Sequence, residues 1–224
     1  MSGPPEALAF DVIGTLFSLE TLRPRLVAAG LPAHALEPWV AGALRDLFAL
    51  GATGRTATMR AVLDGSLQVL LAAAGIAPDE AVVAPVLVGM TALDPRPGAE
   101  SALRALRNRG LRLMALSNGA LAATRSLLDR AGFAAMFDEV VSIDEVGQPK
   151  PCGAVYRYAA ERLGLAPARL ALVSAHPWDL AGAAAAGLAG VHVSLGLPFP
   201  AALGRADAST PDFTGLPAAL DRLG

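Results

Sequence analysis

The chain has 224 residues, of which 54% are hydrophobic and 17% are charged, and its formal net charge is -2. A chain of this length forms one large domain, or one domain with an insertion, and can bury a sizeable core. The composition excludes a disordered chain, and the near-neutral charge gives no basic surface for nucleic acid.

Individual residues and segments limit the kind of protein and its cellular location. Cys152 is the only cysteine, which excludes an internal disulfide and a metal cluster built on cysteine. The first residues lack the charged and apolar regions of a secretory signal, so we expect a cytoplasmic protein. The longest uncharged stretch, residues 180–204, is too weakly apolar to span a membrane. Lys150 is the only lysine, which reflects either coding bias or a position that needs an ammonium group.

The first part of the chain predicts one strand and then helices. Residues 7–12 are a short apolar run followed by Gly14, which is typical of a buried strand that runs into a tight turn. From residue 19 to about residue 93 the apolar residues recur with helical spacing, including helices over 56–74 and 79–91. We expect this stretch to be an all-helical insertion.

After the Pro- and Gly-containing breaker at 94–98, predicted strands alternate with helices. The strands cover residues 111–116, 139–143, 170–174 and 190–194. The helices cover residues 99–109, 121–131, 153–163 and 180–186. This alternation predicts an α/β fold with a doubly wound parallel sheet, which the first strand must join. The predicted domains are a core of residues 1–18 plus 94–224 and a helical cap of residues 19–93 above the ligand-binding edge.

Polar residues gather at the ends of the predicted strands. They are Asp11 and Thr15 after the first strand, Ser117, Asn118 and Gly119 after the second, Lys150 after the third, and Ser174, His176 and Asp179 after the fourth. The carboxyl ends of parallel strands meet at one edge of a sheet, so these groups should come together. They form either a buried ion-pair network without chemistry or a ligand site, as polar groups at such an edge usually do.

Four segments in this order resemble the motifs of the haloacid dehalogenase superfamily. They are Phe10-Asp11-Val12-Ile13-Gly14-Thr15-Leu16-Phe17, Leu116-Ser117-Asn118-Gly119, Lys150-Pro151 with Tyr156 six residues after the lysine, and Ser174-Ala175-His176-Pro177-Trp178-Asp179. The resemblance extends over essentially the whole chain. It implies a Rossmann-like core with an inserted helical cap, the same fold class that the alternation of elements predicts.

Two positions distinguish the subfamilies. Phosphatases of the superfamily carry an Asp two residues after the nucleophile, where this chain has Ile13, and an acidic pair near the fourth motif, where Ala175 leaves only Asp179. Mg²⁺ prefers oxygen ligands that usually include carboxylates, so this loss weakens a metal site. The resemblance is therefore closer to the L-2-haloacid dehalogenases (type II), which lack both carboxylates and need no metal or other cofactor.

The resemblance implies roles for the motif residues. Asp11 would be the nucleophile that forms an ester intermediate, and Lys150 would keep it ionised. Asp179 would orient Lys150 or the attacking water, or simply cap the next helix. Thr15, Ser117, Tyr156 and Trp178 also have ordinary structural alternatives in a turn, a helix cap or the core. The catalytic candidates are Asp11, Thr15, Lys150, Ser174, His176 and Asp179. The substrate-binding candidates are Ile13, Ser117, Asn118, Tyr156, Trp178 and Arg45.

Three departures from the dehalogenases concern the substrate. Ile13 stands where these enzymes have a pocket-lining Tyr. Val40 follows Trp39 where they have an Arg that meets the substrate or halide, and Arg45 one helical turn further on could substitute. His176 replaces an Asn, and it would act as a general base for ester hydrolysis or as a hydrogen-bonded structural group.

These observations support one leading hypothesis and two alternatives. The leading hypothesis is a metal-independent hydrolase of the 2-haloacid dehalogenase type, acting through Asp11 on a small 2-substituted carboxylate. The alternatives are a phosphatase of the same superfamily with a degraded magnesium site and a non-catalytic anion-binding member. Dehalogenases of this kind are often homodimers, so a homodimer is one state open to the chain. A cap cation facing Asp11, from Arg45, Arg55 or Arg60, would favour a haloacid, whereas an apolar wall would favour another substrate.

Overall fold

The computed structural model describes residues 4–223 and contains two sheets. The strands are β1 (Ala7–Asp11), β2 (Phe17–Ser18), β3 (Asp94–Pro95), β4 (Arg112–Ser117), β5 (Glu139–Ser142), β6 (Leu170–Ser174), β7 (Ala189–Val193) and β8 (Ala208–Thr210). Six of them form a parallel sheet in the order β5-β4-β1-β6-β7-β8. The chain therefore fills one side of β1 first and the other side afterwards, and the carboxyl end of β1 lies where the strand order switches.

Helices cover both faces of this sheet and form the cap. They are α1 (Arg23–Ala28), α2 (Leu36–Ala52), α3 (Met59–Ala73), α4 (Glu80–Val88), α5 (Ala99–Asn108), α6 (Leu121–Arg130), α7 (Ile143–Val146), α8 (Gly153–Arg162), α9 (Pro177–Ala185) and α10 (Leu216–Leu220). Every residue of β1 and β6 is buried, as expected for parallel strands covered on both faces. None of the helices within residues 4–223 is long and apolar enough to cross a membrane.

The first four helices lie between the two strands of the small sheet. β2 and β3 pair antiparallel, with Phe17 opposite Pro95 and Ser18 opposite Asp94. The chain thus leaves the core and returns to it through a two-stranded ribbon. Within the cap, the Trp39 indole nitrogen of α2 donates a hydrogen bond of 2.9 Å to the carbonyl of Leu63 on α3, which fixes how these two helices pack.

The predicted fold class is confirmed, and the differences are local. The strand predicted over 139–143 ends at Ser142 because Ser142 caps helix α7, with Glu145 completing a capping box. The helix predicted from residue 180 begins at Pro177, which suits the first position of a helix. The small sheet, β8, α7 and α10 are not predicted from the sequence, because two- to five-residue elements show too few periods of a hydrophobic pattern.

Candidate functional site

The turn after β1 holds the last residue of that strand, Asp11, at the carboxyl edge of the sheet. Gly14 turns the chain at φ +86°, and a Cβ atom there would lie 2.5 Å from the His176 ring, so only glycine fits. The half-buried Arg96 guanidinium donates two hydrogen bonds, of 3.0 and 3.1 Å, to the Gly14 carbonyl. The turn is therefore fixed from both sides, and Asp11 with it.

One ammonium group joins two carboxylates beside this turn. Lys150 Nζ donates hydrogen bonds to Asp11 Oδ1 at 2.7 Å, to Asp179 Oδ2 at 2.8 Å and to the Leu116 carbonyl at 3.1 Å. These three bonds use all three donors of a lysine. Lys150 and Asp179 are fully buried, and Asp11 is 4% exposed. We call Asp11, Lys150 and Asp179 the charge network.

Side-chain hydroxyl groups hold both carboxylates of the charge network. Thr15 Oγ1 donates to Asp11 Oδ2 at 2.5 Å and accepts from the Ala175 amide at 2.9 Å, so it links the turn to the end of β6. The buried Tyr156 hydroxyl donates to Asp179 Oδ1 at 2.6 Å. Each carboxylate thus has a fixed orientation, and the predicted site residues on four separate segments lie together.

The charge network has unequal carboxyl groups. Burial alone raises the pKa of the Asp11 carboxyl, but the charges of Lys150 and His176, with hydrogen bonds from Lys150 and Thr15, bring it below its ordinary value. Burial, aided by the Asp11 charge, raises the pKa of Asp179 above its ordinary value against the opposing effect of Lys150. Burial lowers the pKa of Lys150, and the two carboxylates more than offset this and raise it. At neutral pH, Asp11 is therefore the ionised partner of a protonated lysine.

His176 lies against both Asp11 and the turn. Its Nε2 atom is 3.1 Å from the Ile13 carbonyl and 3.5 Å from Asp11 Oδ2. A carbonyl oxygen only accepts hydrogen bonds, so the hydrogen bond to the Ile13 carbonyl requires a hydrogen atom on Nε2. The ring stacks on Trp178 with a centroid distance of 5.3 Å, and the His176 amide donates to Ser174 Oγ at 3.1 Å.

The loop after β4 contributes the remaining predicted side chains. Asn118 Oδ1 accepts from the Lys150 backbone amide at 2.9 Å, which leaves the NH₂ end of the Asn118 side chain as its donor group. Ser117 Oγ accepts from the Gly119 amide at 2.9 Å. Ser117 and Ser174 are buried and hold the local backbone.

A cavity of about 50 Å³ opens beside Asp11. Its floor consists of Asp11, Asn118, Gly119 and His176. Its ceiling consists of Leu19, Val40, Leu44, Met59, Leu63 and Met90. Ile13 and Trp178, two of the predicted substrate-binding residues, complete the lining. Of the described residues that line it, none is Lys or Arg, so the ceiling is an apolar wall.

The structure does not bring Arg45 to this cavity. Its side chain is 71% exposed and pairs with Asp46 at 2.8 Å, because its position on α2 points away from the helix face that carries Val40 and Leu44. Arg55 lines other clefts, Arg60 is exposed, and Tyr156 contacts Asp179 rather than the cavity. The ceiling residues were missed by sequence reasoning, and their only signal is the apolar face of the cap helices.

The residues around Asp11 do not fit a magnesium ion. The Lys150 ammonium already bridges the Asp11 and Asp179 carboxylates, and Ile13 and Ala175 supply no oxygen ligand from their side chains. Within residues 4–223, no group of three or more His, Cys, Asp and Glu side chains lies close enough together to hold a metal ion.

Comparisons with known proteins agree with this geometry. The profile of the haloacid dehalogenase-like hydrolases matches residues 5–187. An (S)-2-haloacid dehalogenase from Xanthobacter autotrophicus is 31% identical over 180 residues, covering 80% of this chain and 70% of that protein. A haloacetate dehalogenase from Moraxella sp. is 37% identical over 95 residues, which is 42% of each chain.

A solved structure extends the likeness to the whole fold. The L-2-haloacid dehalogenase of Xanthobacter autotrophicus, with chloropropionic acid covalently bound, superposes with a TM-score of 0.88 at 25% identity, covering 97% of this chain and 98% of that one. The resemblance inferred from the four motifs is thereby confirmed. This chain belongs to the haloacid dehalogenase-like hydrolases.

Proposed function

We propose that this protein is a metal-independent hydrolase that displaces halide from a small 2-haloacid through Asp11. The observation that carries the proposal is the single ammonium of Lys150, which binds Asp11 and Asp179 directly beside a small cavity. The apolar ceiling of that cavity would by itself favour another substrate, so the choice of a haloacid rests on the relatives, which include an (S)-2-haloacid dehalogenase. A displacement at carbon needs an ionised nucleophile and a dry pocket, and it needs neither a metal nor a proton donor for the halide.

In the first step, a carboxylate oxygen of Asp11 attacks the carbon that bears the halogen. The new bond is an ester between Asp11 and the substrate carbon, and the carbon–halogen bond breaks with its electron pair leaving on the halide. Lys150 and Thr15 hold the carboxylate in place for this attack. The Xanthobacter autotrophicus enzyme with chloropropionic acid covalently bound supports a covalent step in a relative.

In the second step, water attacks the ester carbonyl carbon of Asp11. The bond between that carbon and the substrate oxygen breaks, the product leaves as a 2-hydroxy acid, and the Asp11 carboxylate forms again. One proton of the water ends on the product hydroxyl, and the other passes to Asp179. Asp179 lies behind Asp11, because Lys150 Nζ donates to Asp11 Oδ1 at 2.7 Å and to Asp179 Oδ2 at 2.8 Å, and this position supports the role.

A panel of 2-haloacids tests the proposal. Halide release is measured with and without EDTA for wild type and Asp11→Asn, and we expect release in both conditions for wild type and none for the variant. A wild-type protein that releases no halide from any panel member would overturn the proposal. Magnesium-dependent turnover of an aryl phosphate that requires Asp11 would favour the alternative hypothesis of a phosphatase. Anion binding without any turnover would favour the alternative hypothesis of a non-catalytic anion-binding protein.

The remaining expectations accompany this proposal. We propose the division into a core of residues 1–18 plus 94–224 and a cap of residues 19–93, which the position of the β2–β3 ribbon supports. A homodimer and a cytoplasmic location stay predictions.

A further inference from the structure

The cavity beside Asp11 is small for a ligand site. Its volume is about 50 Å³, whereas pockets for small molecules commonly have volumes of about 300–1,000 Å³. An apolar cavity of about 150 Å³ accommodates one benzene molecule. A space about one third as large accommodates only a few non-hydrogen atoms, so the volume itself limits the substrate.

The proposed displacement fixes how a haloacid lies in this space. Attack at carbon requires the attacking oxygen of Asp11, the carbon and the halogen to lie in line, so the halogen points away from Asp11 and toward the apolar ceiling. The substrate carboxylate belongs with the floor, where Asn118 keeps an amide donor. The two other substituents of the reacting carbon must then fit into the space that remains, between the ceiling and the side chains of Ile13 and Trp178.

Close contact between α2 and α3 holds the ceiling at its height. The Trp39 indole nitrogen donates to the Leu63 carbonyl at 2.9 Å, and Ser66 Oγ donates to the Trp39 carbonyl at 2.9 Å. Gly42 allows this approach, because a Cβ atom there would lie 2.7 Å from Ser66 Oγ. Leu44 of α2 and Leu63 of α3 both line the cavity. A larger substrate therefore cannot move one helix from the other without breaking buried hydrogen bonds.

We infer that the substrate of this site is a two-carbon haloacid, a haloacetate, in which the carbon that bears the halogen carries two hydrogen atoms. This inference rests on the proposed function and names the substrate class of the same site. A methyl group on that carbon would overpack the cavity against Ile13, Leu44 or Leu63. It would also hinder the attack of Asp11, because displacement is slower at a more substituted carbon. The bonds that form and break are those of the two steps above, and the product is the two-carbon 2-hydroxy acid.

Two carboxylic acids that cannot react test the inference by binding alone. Propionate has the shape of chloroacetate, with a methyl group in place of chlorine, and isobutyrate has the shape of 2-chloropropionate. In calorimetry on the full chain, wild type should bind propionate about tenfold or more tightly than isobutyrate, although isobutyrate is the more apolar acid. The same preference should appear in turnover, where kcat/KM for chloroacetate should exceed that for either enantiomer of 2-chloropropionate by about 100-fold.

Two leucines of α3 provide matched variants. Leu63→Ala enlarges the cavity, so it should bind isobutyrate and propionate with affinities within about twofold of each other. Leu63→Val makes a smaller change in the same direction and disturbs the fold less. Leu71→Ala removes another buried leucine, which is not among the described residues that line the cavity, and it should keep the wild-type preference.

Other results would contradict the inference. Equal binding of the two acids by wild type would overturn it, and so would a wild type that binds neither acid. Equal turnover of chloroacetate and 2-chloropropionate would overturn it while the proposed function stands. A Leu71→Ala protein that loses the preference as Leu63→Ala does would show that the packing of the cap, and not the volume of the cavity, determines it. If wild type prefers propionate and Leu63→Ala does not, but no haloacid releases halide, the size limit stands and the proposed function fails.

Discussion

Different interactions stabilise the floor of the cavity and its ceiling. On the floor, Asp11 accepts directional hydrogen bonds of 2.5 and 2.7 Å from Thr15 and Lys150. The ceiling has no such bonds to the floor. Its six side chains fill space from the loop after β2, two cap helices and the turn after α4, and they contact the cavity through apolar atoms alone.

This difference predicts different responses to substitution. A directional network depends on the identity and position of each atom, so a small chemical change on the floor should cost much activity. Apolar packing depends mainly on volume and tolerates hydrophobic exchange. The floor should therefore decide whether the reaction occurs, and the ceiling should decide which chain lengths enter.

The largest effect is expected on the floor, for Asp11→Asn. A neutral amide is not a nucleophile, so halide release should fall by about 10⁴-fold or more. A halide assay measures the loss, and mass spectrometry of wild type under single-turnover conditions should find the ester on the peptide that contains Asp11. Asp46→Asn is the matched control on an exposed carboxylate and should keep its activity. Full activity in Asp11→Asn would show that Asp11 is not the nucleophile.

Lys150→Arg should have the next largest effect. The charge remains, but a forked guanidinium cannot occupy the fully buried position of a point charge between two carboxylates, so we expect kcat to fall about 100-fold. Lys150→Met keeps the volume and leaves two carboxylates unpaired, which should lower the free energy of unfolding by about 3–5 kcal/mol. Halide release measures the loss of kcat in Lys150→Arg, and denaturant unfolding measures the loss of stability in Lys150→Met. A fully active Lys150→Arg would mean that the rarity of lysine in this chain reflects coding bias alone.

Tyr156→Phe should change the pH dependence more than the maximal rate. The Tyr156 hydroxyl donates to Asp179 and so opposes the rise in its pKa, and removing it raises that pKa further. Asp179 accepts a proton only when ionised, so kcat should fall about tenfold at acidic pH and recover as pH rises. Tyr158→Phe, which removes a hydrogen bond to Glu145, is the matched control. An unchanged acidic limb in Tyr156→Phe would argue against Asp179 as the proton acceptor.

On the ceiling, Leu44→Ala should change substrate choice. The smaller side chain enlarges a cavity of only about 50 Å³, so the preference for 2-chlorobutyrate over chloroacetate, as a ratio of kcat/KM, should rise about tenfold. Leu197→Ala, at a side chain that is 70% exposed, is the control. A Leu44→Ala variant that loses all turnover, rather than exchanging one substrate for another, would show that the ceiling also takes part in the chemistry.

The contrast also explains what could be predicted from the sequence. The floor residues follow strands in chain order, and parallel strands bring their carboxyl ends together, so the meeting of Asp11, Lys150 and Asp179 follows from strand positions alone. The ceiling depends on how α2 and α3 rotate against each other, which the Trp39–Leu63 hydrogen bond fixes and no local pattern specifies. Sequence reasoning therefore predicted which charged residues lie together and did not predict the shape of the pocket.

The smallest effect is expected for Arg45→Gln. Arg45 is a candidate for the missing cap cation by sequence, yet its side chain is 71% exposed and pairs with its neighbour Asp46. An exposed ion pair of this kind contributes little to the stability of the fold, and the Arg45 side chain does not reach the cavity, so kcat/KM for chloroacetate should change by less than about twofold. A tenfold loss would require α2 to rotate during turnover until Arg45 faces Asp11. In that case the cation of the site would come from the ceiling after all.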